Sequence, residues 1–240
     1  MVCCACWRLS EVGTRDAEDH ARARQAMPGV YHKHAARWNT LRSADVGECV
    51  WVERFLSHIP PGGQVLDLGC GTGWPVSERV IAAGIEVVGL DSSPGMIAVA
   101  RRYFPEAEWV VGDMRDLPEL GRFDGVMSWD GWFHLSVKEQ RAALPRVAEM
   151  VKPGGALMLT VGPEEGEVLG YIDGDAVYHA SLSPGEYVAT LRRCGFGMVE
   201  HLRFVEREAR GRYVLMAWEK SGRGCTSSTF WGEVAGREAD

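Results

Sequence analysis

The nine residues VLDLGCGTG, Val65 to Gly73, read as a buried strand running into a glycine-rich turn. Gln64 to Leu68 is a short apolar run of strand length, and Gly69, Gly71 and Gly73 alternate into a helix expected over Trp74 to Ala83. Alternating glycines let the chain turn tightly and let a ligand approach the backbone. They sit at the carboxyl end of a strand, where open α/β sheets bind ligands. The spacing is not the dinucleotide fingerprint GxGxxG. Counted from Gly69 the third glycine falls on Trp74, and counted from Gly71 it falls on Val76.

Outward from this turn the pattern alternates. Glu86 to Leu90 is a second strand, and Asp91 follows it eighteen residues after Gly73, placed to accept hydrogen bonds from a ribose diol. Pro94 to Tyr103 reads as a helix with proline in its first turn, where a missing N–H costs nothing. Glu108 to Val111 and Phe123 to Ser128 are further strands. Ser136 to Val151 is a helix opened by a capping box, Ser136 with Glu139, and Pro145 inside it should kink it. Lys152 to Gly155 stop that helix, and Ala156 to Val161 form a fifth strand. Strands alternating with helices predict a parallel sheet covered on both faces. The end differs: after a helix over Ser183 to Cys194, with a second capping box at Ser183 and Glu186, the runs Met198 to Val205 and Tyr213 to Trp218 predict a hairpin, so one strand must be antiparallel. Residues 1–27, with four arginines and four acids, and residues 221–240, rich in Gly and Ser, are expected to be a loosely ordered extension and a flexible tail around a single domain over 28–220.

Composition narrows the function classes. Hydrophobic residues make up 46% and charged residues 25% of the 240, as in ordinary globular proteins, and the net charge of −7 lacks the positive field that holds nucleic acid. No run approaches the roughly 20 apolar residues of a membrane span, and the opening MVCCACW has no basic segment ahead of it, so neither a membrane anchor nor a signal peptide is expected. The seven cysteines, clustered at Cys3, Cys4 and Cys6 and otherwise scattered singly, are expected to be reduced thiols of a cytoplasmic protein, with no metal site.

Several ordered motifs then resemble the small class I S-adenosylmethionine-dependent methyltransferases. VLDLGCGTG is similar to that family's first motif and VVGLDSSPGMIAVAR, residues 87–101, to its second. VVGDMRDLP (110–118), FDGVMSWDGWFHL and LPRVAEMVKPGGALMLTVG are similar to its third-, fourth- and fifth-strand regions. The resemblance implies a Rossmann-like three-layer sandwich with a seven-stranded, mostly parallel sheet of order 3-2-1-4-5-7-6, strand 7 antiparallel. It also implies S-adenosyl-L-methionine as cofactor. Residue by residue, it implies that Asp67, Gly69, Cys70, Gly71 and Gly73 surround the methionine moiety and that Asp91, Ser92 and Met96 hold the nucleoside. Asp113 and Met114 would read the adenine, and Ser128 and Trp129 would face the sulfonium. Tyr31, in YHKHAARWN (31–39), would be supplied by an N-terminal helix.

Two stretches bear on the acceptor. The loop after the fourth strand carries Asp130, Trp132 and His134. A neutral imidazole there is a candidate general base and Asp130 a candidate for orienting the acceptor, unless His134 only precedes the helix beside an apolar wall. Residues 163–182 form an insertion with five acids and no Lys or Arg. It reads either as a solvated loop or as a lid whose Tyr171, Tyr178 and His179 face a neutral or cationic small-molecule acceptor. The function this implies is metal-independent methyl transfer to an O or N atom of a small molecule. The alternative is a non-catalytic protein that binds the cofactor and serves as a regulatory partner.

Overall fold

The computed structural model describes residues 14–41, 46–203 and 212–225. Its central sheet has the order β3-β2-β1-β4-β5-β9-β8. The strands are β1 (Gln64–Leu68), β2 (Glu86–Asp91), β3 (Glu108–Val111), β4 (Phe123–Ser128), β5 (Val151–Val161), β8 (Phe196–Arg203) and β9 (Tyr213–Lys220). Strands β1 to β5 pair in parallel and β9 runs antiparallel to both β5 and β8, as the order 3-2-1-4-5-7-6 requires. The remaining pair, β6 (Gly166–Ile172) and β7 (Asp175–Ser181), forms a separate two-stranded sheet.

The period-2 alternation of β1 explains the layers. Leu66 and Leu68 join a core with α6 (Val137–Glu149) and α7 (Pro184–Arg193), through Leu144, Val147, Tyr187 and Leu191. Val65 points the other way, into a core with α3 (Val46–Leu56), α4 (Val76–Ala82) and α5 (Pro94–Tyr103), through Phe55, Val80 and Ile97. Asp67 shares that second face, where Ser77 Oγ donates to its Oδ2 at 2.6 Å. A third cluster joins Ala23, Met27 and Trp38 to Met96, Ile172, Val177 and Tyr178.

That third cluster corrects two boundaries. Residues 14–27, expected to be loosely ordered, are the first part of α1 (Thr14–His34), which runs through Pro28 and ends ahead of a 3₁₀ turn and the short α2 (Trp38–Leu41). Burial of Ala23 and Met27 against the β6–β7 sheet supplies what the charged sequence lacks on its own. Residues 1–13 and 226–240 lie outside the described residues. The insertion over 163–182 is a hairpin rather than a loop, closed by Asp173-Gly174. Both have positive φ, 49° and 87°, the conformation for which a two-residue Asp-Gly hairpin turn is favoured.

Smaller differences have local causes. Helix α4 starts at Val76 instead of Trp74, with Pro75 as its N-cap. Strand β5 begins at Val151 and carries a register shift opposite Phe123 and Gly125, where a break had been expected over Lys152 to Gly155. The capping box of α6 is complete, but Ser183 caps α7 alone, because the Glu186 carboxylate turns to Arg141. Cys194 and Cys225 are joined as a disulfide, against the expected reduced thiols, and Lys220 Nζ donates to the Arg223 carbonyl; the expected tail is thus ordered as far as Cys225. Among the described residues no helix is long and apolar enough to cross a membrane.

At the start of α6, Glu139 N–H donates to Ser136 Oγ while the Glu139 carboxylate accepts from the Ser136 N–H at 2.7 Å. Ser136→Ala removes the first of these, so chemical denaturation should show a loss of about 1 kcal/mol with an unchanged m-value.

Candidate functional site

The carboxyl ends of β1, β2, β3 and β4 open into one cleft, roofed by α1. Its floor is Gly69, Cys70 and Gly71 after β1, Leu90, Asp91 and Ser92 at β2, Gly112 to Arg115 after β3, and Trp129 to Gly131 after β4. The glycine turn is as tight as its sequence implies. A Cβ on Gly69, whose φ is +72°, would lie 3.0 Å from Met114 Cε and 3.1 Å from the Gly131 Cα. Gly71 has φ +57° and leaves room beneath the Trp38 indole.

Asp91 is held at the centre of this floor. Its Oδ2 accepts from the Gly71 N–H at 2.9 Å and its Oδ1 from the Ser93 N–H at 2.8 Å. Burial pushes its carboxyl above the ordinary carboxylate range, against the pull of those two N–H groups. Each oxygen keeps acceptor capacity for a further donor. Asp113 also lines the cleft, but Arg115 grips it: Arg115 Nε lies 2.8 Å and 2.9 Å from its two oxygens, and these bonds hold its carboxyl below the ordinary range despite burial. Burial also pushes the Cys70 thiol well up, which removes it as a nucleophile.

His134 lies at the inner end, in the 3₁₀ turn after β4. Its Nδ1 is 2.8 Å from the Tyr178 carbonyl oxygen on β7, and its Nε2 is 2.6 Å from Tyr31 Oη on α1. Burial lowers its pKa to about 4, the Tyr178 hydrogen bond and the charge of Asp130 opposing this only in part. Asp130, with φ 57°, is ion-paired to Arg212 at 2.9 Å, and the Arg212 guanidinium stands 5.6 Å from the Trp129 ring.

Of the residues singled out in the sequence, the cleft brings together Tyr31, Gly69, Cys70, Gly71, Asp91, Ser92, Asp113, Met114, Trp129, Asp130 and His134. Others stand behind it. Asp67 is bound to Ser77, Ser128 Oγ donates to the Leu68 carbonyl, Met96 is fully buried, and Gly73 faces Trp109 and Phe104. The four expected acceptor contacts are not among the lining residues. Trp132 is fully buried in the core beside α6 and α7, and Tyr178 is buried against α1. His179 packs on Phe133 and His134 at ring distances of 4.7 and 5.1 Å, and Tyr171 is exposed in a separate groove between the hairpin and α1.

The acids of the insertion do not line the cleft either. Asp175 pairs with Lys33 and His34, Glu167 with His20, Asp173 with Arg37, and Glu165 with Arg141. They fasten the hairpin to α1 and α6. Sequence reading missed Arg24, Met27 and Pro28 of α1, and Arg115. A signal was present, since Arg24, Met27, Pro28 and Tyr31 follow i, i+3, i+4, i+7 on one helix face.

Two outcomes follow from this geometry. Gly69→Ala should destabilise the fold by about 2 kcal/mol or more, measured by urea unfolding, because it adds a Cβ against backbone at a left-handed φ. The unfolded chain binds a proton at His134 near pH 6.5 whereas the folded chain resists it down to about 4. Stability should therefore fall as pH drops across that window, by up to about 3 kcal/mol from this group, and the slope should be shallower in His134→Gln.

Residues 65–155 match the family model of a methyltransferase domain. The chain is 39% identical over 100 residues to a demethylmenaquinone methyltransferase of Renibacterium salmoninarum, covering 41% of each chain. It is 39% identical over 142 residues to a cypemycin N-terminal methyltransferase of a Streptomyces species, covering 55% of this chain and 56% of that protein. It thus spans about two fifths to just over half the length of these curated relatives. Among solved structures, a TehB-like SAM-dependent methyltransferase from Corynebacterium glutamicum matches with a TM-score of 0.58 at 25% identity, over 80% of this chain and 100% of that one. With the sheet order and the turn after β1, these matches show a region similar to a methyltransferase domain over residues 65–155, set in the fold of the SAM-dependent methyltransferase it resembles.

Proposed function

We propose that this protein transfers a methyl group from S-adenosylmethionine to an N or O atom of a small-molecule acceptor. The observation that carries the reading is Asp91, a carboxylate fixed by two backbone N–H groups on the floor of a cleft whose glycine turn leaves no room for a Cβ at Gly69. A ribose diol donating to Asp91 offsets the burial that raises its pKa, and the exposed backbone of Gly69 to Gly71 accepts close approach by the methionine end. Met114 packs on the adenine, and Asp113 takes its amino group in the orientation Arg115 sets.

The bound sulfonium supplies an electrophilic methyl, so the chain's own task is placement. Helix α1 roofs the cleft with Met27, Pro28 and Tyr31 and excludes water, and the acceptor lies between Tyr31, His134 and Trp129. The acceptor atom must come in line with the methyl carbon and sulfur at about 3 to 3.5 Å. The Trp129 face favours a neighbouring sulfonium as it does the guanidinium of Arg212.

Calorimetric titration with S-adenosylmethionine and S-adenosylhomocysteine tests the cofactor half. The intact chain should bind both at micromolar concentration, and Asp91→Ala should bind about 100-fold more weakly, the loss of two hydrogen bonds to a charged acceptor. Absence of binding by the intact chain refutes the reading.

A further inference from the structure

The charged groups lining the cleft differ in what they have left to offer a ligand. Asp113 is gripped by Arg115, Asp130 is ion-paired to Arg212, and Asp91 accepts from Gly71 and Ser93. Arg24 of α1 also lines the cleft, yet its guanidinium makes no hydrogen bond among the described residues. Its contact with a carboxylate, Nη1 to Glu139 Oε2, is 3.8 Å long, and that oxygen already accepts from the Ser136 N–H at 2.7 Å and the Ser136 hydroxyl at 2.8 Å. Arg24 therefore brings to the cleft a planar fork of donors that matches a carboxylate. Arg115 adds charge of the same sign: its Nε and Nη2 hold Asp113, while its Nη1 makes no hydrogen bond among the described residues. Arg24 precedes Tyr31 by seven residues on the cleft-facing stripe of α1, two helical turns or roughly 10 Å along the axis. Tyr31 in turn touches His134 at the inner end, and Met27, Pro28 and Leu135 line the cleft with apolar surface. Trp38, which stands over the glycine turn, lies beyond Tyr31 in the chain, so the methionine end of the cofactor is remote from Arg24.

We propose that the methyl acceptor is an elongated small-molecule acid, and that Arg24 binds its carboxylate at the outer end of the cleft while its nucleophilic atom lies at the inner end, roughly two helical turns away. The inference rests on the methyl-transfer reading above and names the acceptor class for that site. Arg24 is then a specificity-determining residue, which touches the acceptor far from the reacting atoms. The transfer step is unchanged: the acceptor lone pair forms the bond to the methyl carbon as the C–S bond breaks, the bonding pair stays on sulfur as a neutral thioether, and the acceptor's N–H or O–H proton passes to water. The acids of the insertion do not oppose this choice, since Glu165, Glu167, Asp173 and Asp175 are paired with α6, α1 and the turn that follows α1. A chain of net charge −7 repels an anion at long range, so an acid gains over its neutral amide only through a local cation such as Arg24. The Arg24 side chain is 40% accessible, and an apolar acceptor body lying under α1 would shield the new ion pair from water.

The test is calorimetric titration of the full chain, saturated with S-adenosylhomocysteine, with 4-(4-aminophenyl)butanoate and with its neutral amide, 4-(4-aminophenyl)butanamide. The two probes share one apolar body and one amine and differ in the carboxylate, which lies at the far end of the extended molecule. The acid should bind about tenfold more tightly than the amide, the effect of one charge-assisted contact at a partly exposed site. In Arg24→Gln the two should bind within about twofold of each other, while S-adenosylhomocysteine binds as it does to the intact chain, which also shows that the variant is folded. Equal binding of acid and amide by the intact chain, or no binding of the acid, overturns the proposal. A preference for the acid that survives in Arg24→Gln overturns it too, and a loss of S-adenosylhomocysteine affinity in that variant assigns Arg24 to the cofactor instead. Failure of the intact chain to bind S-adenosylhomocysteine is a different result: it refutes the methyl-transfer reading and this inference with it, whereas the acid and amide outcomes bear on Arg24 with cofactor binding intact.

Discussion

Gly69 after β1 and Gly131 after β4 bring their backbones together at the head of the sheet. A Cβ on either would stand 3.1 or 3.2 Å from the other's Cα. This contact sets the spacing of the two central strand ends. It lets Gly71 N–H reach Asp91 on one side and brings Trp129, Asp130 and His134 to the same cleft on the other. A side chain at either position would push the strand ends apart and separate the floor from the inner end. The rest of the site depends on that absence of atoms.

The roof is held differently. Helix α1 has little periodic apolar sequence, yet Ala23 and Met27 are buried against Val177 and Tyr178 of the hairpin. Ion pairs run along the seam, from His20 and Glu167 at one end to Lys33, His34 and Asp175 at the other. Exposed pairs of this kind contribute at most about 1 kcal/mol each, so the buried apolar contacts carry most of the docking and the charges fix its register. The Tyr178 N–H donates to Met27 Sδ and its carbonyl accepts from His134, so a single hairpin residue touches both the roof and the inner end of the cleft.

Electrostatically the cleft divides into two. On the floor, Asp91 keeps a carboxylate in a buried place, with two N–H groups in partial compensation. At the inner end, the imidazole is kept neutral by the same burial, because Asp130, the nearby negative charge, is neutralised by Arg212. Burial penalises charge in both places. The floor resists it with backbone donors, whereas the inner end yields to it.

The strands, the alternating helices and the glycine turn were legible in the sequence because they rest on local signals: apolar runs of strand length, capping residues, and glycines where the backbone must turn left-handed; the strand order came only from the resemblance. Asp91 was legible for the same reason, as an acid at a strand end beside that turn. The hairpin over 166–181 was not read, although Asp173-Gly174 marked its turn, because its strands are buried against α1 and a loop distant in sequence and lack clean alternation. The roof residues Arg24, Met27 and Pro28 were missed because a helix with a mostly charged surface gains its stability from tertiary burial. Tyr178 shows the limit most sharply. Its side chain is buried against α1 and its carbonyl sets the His134 tautomer, and no residue-type pattern reports the direction of a backbone carbonyl. The sequence by itself determined the alternation of strands and helices and the glycine turn with Asp91 near it, which follow from short-range periodicity and steric demand. Only the tertiary structure decided which side chains reach the inner end and which way its protons point, since both are set by contacts between segments more than 40 residues apart, as with His134 and Tyr178.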